Sequence, residues 1–207
     1  MNVLGVILGV AAASSDPRLV IVAGLAATFA ESVSMGAVAF TSTLADADYY
    51  DSEHARELRH IEQAPRLERD EVRHIYAQKG FNGELLDHIV DTITANPDVW
   101  VAVMMSEEHQ LTPVDRKKAW KAALVVGFSA IVGSLIPLAP FIFLDVTSSM
   151  WVSVLVTALV LFGVGAYKAR VTVGKPGRSG LEMALIGTLS ALVGYAVGAL
   201  LKIPTTP

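Results

Sequence analysis

Residues 19–44 read LVIVAGLAATFAESVSMGAVAFTSTL, and Glu31 is the one charged residue in the run. A helix needs roughly 20 apolar residues, rising about 1.5 Å each, to cross a bilayer core. This stretch meets that length and reads as a membrane-spanning helix. Working outward, residues 122–144, 150–167 and 181–201 form three further apolar runs. Residues 1–13 are also apolar but too short to span. They lack the basic start of a signal peptide, and Ser14-Ser15-Asp16-Pro17 reads as a tight turn into the next helix. The first segment is therefore read as part of a truncated spanning helix. The fold expected is an all-α membrane protein of five transmembrane helices, the first one truncated.

Hydrophobic residues make up 53% of the chain and charged residues 17%, a balance that favours a membrane protein over a soluble domain. Most of the charge lies between Asp46 and Lys121. The chain thus divides into residues 1–45 with helices 1 (partial) and 2, a helical insert at 46–118, and residues 119–207 with helices 3 to 5. Among the connections, those at 14–18 and 145–149 and the C-terminal tail carry only Arg18 and Lys202 as basic residues. The positive-inside rule therefore places the insert and the loop at 168–178 in the cytoplasm. That implies the inner or plasma membrane in a prokaryote and a vacuolar-type membrane in a eukaryote. The net charge of −4 and the lack of a basic stripe interleaved with aromatics argue against nucleic acid. With no cysteine in the chain, metal ligands are limited to carboxylate, imidazole and thioether.

Within the insert, Pro65 is expected to separate two helices and Gly80 to end the second, with a later helix starting near Pro97. Glu68, Glu71 and His74 are spaced three apart and share one side of their helix. Glu57 and His60 repeat that spacing on the preceding helix, and Met104 and Glu108 share a face of the later one. Such a mixed oxygen, nitrogen and sulfur set suits borderline first-row ions better than calcium or magnesium. His54, His88 and His109 are read as solvated helix histidines. In the membrane, Glu31 costs about 2.5 to 3.5 kcal/mol on insertion scales and is by default functional. Met35 lies one turn later on the same face. Gly163-Val164-Gly165 and Gly194 with Gly198 permit close helix packing.

Four stretches occur in order along the chain: Ala30-Glu31-Ser32-Val33-Ser34-Met35-Gly36, Arg56-Glu57-Leu58, Glu68-Arg69-Asp70-Glu71-Val72 and Trp100-Val101-Ala102-Val103-Met104-Met105-Ser106-Glu107-Glu108. Set between the second and third spans, this order resembles the vacuolar iron transporter family over essentially the whole chain. The resemblance implies a homodimer of five-helix subunits embedded in lipid, with a cytoplasmic three- to four-helix domain that gathers divalent ions. It implies proton-coupled export of ferrous iron, with manganese, cobalt and zinc as further cargo, and no covalent catalysis or required cofactor. The family's two Glu pairs fall on Glu57 with His60 and on Glu68 with Glu71. Its Met-Met-x-x-Glu falls on Met104, Met105 and Glu108. His60 stands where the family usually has Glu, which removes a negative charge. The family's Ser-Met-x-x-Gly-Glu-Tyr here ends Val38-Ala39-Phe40, so Glu31 is expected to supply the missing acid and Met35 a soft ligand on the ion path. The family's first span normally begins with Asp-Gly, which residues 1–10 lack, so a natural start upstream of Met1 is expected.

An alternative reading is a membrane-anchored metal-storage or di-iron oxidase-like protein. It rests on Glu71 and His74 as a Glu-x-x-His pair, of the kind that carboxylate bundles carry on two helices.

Overall fold

A computed structural model describes residues 2–14 and 16–201. Met1, Ser15 of the expected turn, and Lys202 lie outside them. Nine helices occur among the described residues: α1 (Asn2–Ala13), α2 (Pro17–Gln63), α3 (Pro65–Gln78), α4 (Gly83–Thr94), α5 (Pro97–Glu107), α6 (Lys118–Leu138), α7 (Pro140–Phe143), α8 (Val146–Val171) and α9 (Pro176–Leu200). The described residues are all-helical apart from turns and connections, without a strand. Four helices, α2, α6, α8 and α9, are long and apolar enough to cross a membrane, and α1 is a shorter apolar helix. The chain divides into two compact units, one of residues 1–38 with 123–207 and one spanning Ala39–Ala122.

Proline and capping residues set most boundaries. Asp16 accepts the Arg18 N–H through Oδ1 at 2.9 Å, and Pro17, which has no N–H to lose, opens α2. The apolar run at 19–44 does not end its helix at the edge of the apolar stretch. α2 continues through the polar residues to Gln63, because nothing before Pro65 breaks it. The expected span at 122–144 is by contrast broken. α6 ends at Leu138 and a short α7 begins at Pro140, since Pro137 and Pro140 both lack the N–H that would extend the ladder. The Pro137 carbonyl, near this break, accepts the Ser153 hydroxyl of α8 at 2.6 Å. The runs at 150–167 and 181–201 lie inside α8 and α9, which begin earlier, at Val146 after the cap Asp145 and at Pro176.

In the first unit α1 is the buried element, with Val3, Leu4, Ile7 and Leu8 at most 3% exposed. It packs on α9 through glycine: a Cβ on Gly194 or Gly198 would run into the backbone of Gly5 or Gly9. Lipid tails are as apolar as leucine, so close backbone approach, not apolar burial, is what joins helices in a membrane. The outward residues of this unit are large and apolar, among them Phe128, Trp151, Leu155 and Leu189.

The second unit is built as a soluble domain is. Ile61, Val72, Leu86, Val90, Ile93, Trp100, Val101, Met104 and Met105 form its core. Each such side chain removed from water contributes about 1.5 to 3 kcal/mol. Gly80, with φ 97°, ends α3 in a conformation that residues with a Cβ avoid. Asn96 caps α5 by accepting the Asp98 N–H at 2.9 Å. Ion pairs ring the surface: Arg69 with Asp91, Arg73 with Asp87 at 2.6 Å, Lys79 with Glu107, and Arg116 with Asp48 and Asp51 at 2.6 and 2.7 Å.

Candidate metal site

Three helices of the second unit bring acidic residues together. On α2, Glu57 and Ile61 lie one turn apart and are both buried, so the face that enters the core carries a carboxylate. On α3 the same arrangement recurs with Glu68 and Val72. The end of α5 adds Glu108 and, just beyond it, His109. Glu57 is 2% exposed and Glu68 4%.

One ligand atom each from Glu57, Glu108 and His109 lie within 4.8 Å of one another. His109 Nε2 is 3.2 Å from Glu57 Oε2, and His60 Nδ1 is 3.7 Å from Glu68 Oε1. Glu57 Oε1 and Glu68 Oε2 are buried with no hydrogen-bond partner. Among the described residues no lysine or arginine forms an ion pair with Glu57, Glu68, Glu71 or Glu108; Arg56, whose charge reaches Glu108, is ion-paired with Glu53 at 2.7 Å. A buried carboxylate oxygen without a donor is costly, and two on neighbouring helices compound the repulsion.

Protonation carries part of this load. Burial, followed by the charges of Glu57 and Glu71 and a hydrogen bond with Glu57, raises Glu68 from the usual carboxylate range to about 7. Glu108 is also raised by desolvation, with His109 opposing and the carboxylates of Glu71 and Glu57 adding to the effect. A divalent cation would replace the Glu68 proton, relieve the repulsion and occupy the orphaned oxygens.

Of the residues singled out from the sequence, Glu57, His60, Glu68, Glu71 and Glu108 are neighbours here. Met104 and Met105 are 0% and 1% exposed and belong to the apolar core with Val72 and Trp100. His74 is exposed and engages the Gln78 amide at 2.8 Å, so the Glu-x-x-His pair with Glu71 is not gathered at the cluster. His88 is exposed and His54 stacks loosely near Tyr50.

His109 departs from the reading as a solvated helix residue. It lies past the last residue of α5 and its side chain is only 16% exposed. The helix unwinds there: the Glu108 and His109 N–H groups both donate to Met104 O, and Leu111 N–H donates to Met105 O. Gln110 takes φ 55°, and this turn brings the imidazole back against α2. The available signal was its place directly after Glu107-Glu108.

In the first unit, Glu31 and Met35 line a cavity of about 330 Å³ together with Ser134 and Thr157. Glu31 Oε2 and Thr157 Oγ1 are both buried without a hydrogen-bond partner. A carboxylate, a hydroxyl and a thioether therefore border one space inside the apolar unit. Thr157 was not legible in the sequence, where it is one hydroxyl in an apolar run.

Comparison with known proteins bears on this geometry. The model of the VIT family matches residues 1–199. Vacuolar iron transporter 1 of Oryza sativa subsp. japonica is 34% identical over 190 residues, covering 91% of this chain and 75% of the relative. Vacuolar iron transporter 1 of Arabidopsis thaliana is 29% identical over 94% of this chain and 78% of its own. The vacuolar iron transporter of Plasmodium falciparum (isolate 3D7) is 30% identical over 98% of this chain and 78% of its own.

Proposed function

The chain belongs to the VIT family and is a metal transporter of the membrane; from that premise we propose that it moves ferrous iron out of the cytoplasm in exchange for protons. The observation that carries this reading is the pair of buried, unpartnered carboxylate oxygens on Glu57 and Glu68, in a cluster whose carboxylates form no direct ion pair with a lysine or arginine among the described residues. Glu71 and Glu108 complete the carboxylate set, and His60 adds a nitrogen. Met104 and Met105, the soft donors expected from the sequence, are packed in the apolar core of the insert. Manganese fits the same oxygen-rich shell, and cobalt and zinc fit its imidazole.

The insert gathers the ion, and the membrane unit passes it along Glu31 and Met35. A carboxyl that titrates near 7, as Glu68 does, gives up its proton when the ion arrives and regains it when the ion leaves. The basic residues of the insert and of the α8–α9 connection favour a cytoplasmic face for both. Five spans, with α1 as the first, and a homodimer complete the proposed assembly.

Reconstitution tests it. Liposomes carrying the protein and an internal metal-sensitive dye should report ferrous iron entry, and a pH dye should report an opposing proton flux. Glu57→Gln with Glu68→Gln should slow iron entry at low iron concentration. Undiminished entry in that double variant removes the cluster from transport, and iron entry without proton movement removes the exchange.

A further inference from the structure

The histidine that the end of α5 folds back onto α2 is absent from the ligand set that the family resemblance implies. Glu57, Glu108 and His109 are the one trio among the described residues whose ligand atoms lie mutually within 4.8 Å. The trio is more than an acidic patch, because Glu57 is 2% exposed and its Oε1 has no partner, while its Oε2 meets His109 Nε2 at 3.2 Å. His109 is held there by the turn at Gln110, whose φ of 55° a residue with a Cβ seldom adopts. Among the described residues its Nδ1 makes no hydrogen bond or ion pair.

We propose that His109 is a ligand of the insert's divalent cation, closing a shell of one imidazole and two carboxylates with Glu57 and Glu108, and that it sets which ion the insert prefers. This rests on the reading above that the insert binds the transported ion. Imidazole favours zinc, cobalt and ferrous iron, whereas a shell of carboxylates alone favours manganese and magnesium. His109 therefore biases the site toward the nitrogen-seeking ions. A residue that only propped up Glu57 would weaken every ion alike, so selectivity separates a ligand from a support.

The test is calorimetric titration of the purified full chain in detergent with zinc chloride and, separately, manganese chloride. His109→Gln should lower zinc affinity at least about tenfold, a loss that even the partner of a ligand produces, and lower manganese affinity much less. His109→Asp, which exchanges nitrogen for oxygen, should restore manganese binding and not zinc binding. Circular dichroism shows whether each variant is folded. If a variant fails to fold, the nitrogen coupling in the pulsed EPR spectrum of manganese bound to the native chain, with His60→Gln as the background, decides the matter. Equal losses for both ions, or no nitrogen coupling in that background, overturn the role of His109. Glu57→Gln separates the two levels: if it abolishes zinc binding while His109→Gln leaves selectivity untouched, the insert site stands and His109 is not its ligand. If neither change affects binding, the insert site itself falls.

Discussion

At Glu68 the fold holds a proton more tightly than the unfolded chain does. Its carboxyl titrates at about 7 in the folded protein against 4.5 for the free group. The stability this contributes is complete below pH 4.5 and is lost as pH rises through 7. The metal-free protein should therefore melt at a lower temperature at pH 8 than at pH 5, and Glu68→Gln should flatten that difference. A thermal melt series in detergent measures it; an unchanged slope in the variant would show that the proton sits elsewhere. The same linkage makes added zinc raise the melting temperature more at pH 8, where no proton has to be displaced. Glu31 makes a contrasting prediction. Its buried Oε2 borders a cavity in the membrane unit, whereas the acidic cluster belongs to the insert. Glu31→Gln should stop iron entry into liposomes while leaving calorimetric metal binding within about twofold, since Glu31 and the cluster belong to different compact units and share no partner among the described residues. Loss of binding in this variant would place Glu31 at the binding site rather than on the path.

Among the elements, α1 and α9 show the sharpest steric demand. Gly194 and Gly198 face Gly5 and Gly9 so closely that a Cβ meets backbone, which cannot swing aside as a side chain can. Gly198→Leu should separate the two helices and leave the protein aggregated or protease-sensitive on size-exclusion chromatography. A monodisperse, protease-resistant variant would mean that the helices join by another face. The cap of α5 is a milder case. Asn96→Ala removes the acceptor of the Asp98 N–H and should cost about 1 kcal/mol, read as a drop in the melting temperature of the insert. Because Glu108 caps the far end of α5, the same change should weaken metal binding slightly.

For the whole molecule, a homodimer predicts a doubled mass in detergent by light scattering; a monomer at working concentration would sink it. The sequence by itself determined the class of protein. Apolar run length and the clustering of charge distinguish membrane helices from an insert, and the chemistry of proline sets the break at Pro65 and the start of α5 at Pro97. It also supplied the carboxylates, because residues three or four apart share a helix face whatever the helix packs against. It did not show that α2 continues to Gln63, since periodicity marks where apolar sequence ends and not where hydrogen bonding ends. Only the tertiary structure decided that Met104 and Met105 enter the core, that His74 turns to solvent, that His109 folds back against Glu57, and that Thr157 borders the same cavity as Glu31. Spacing along a chain encodes one face of one helix. Which side chains from three helices converge, and which oxygens are left buried without a partner, is fixed by packing between segments far apart in sequence, and no local pattern records that.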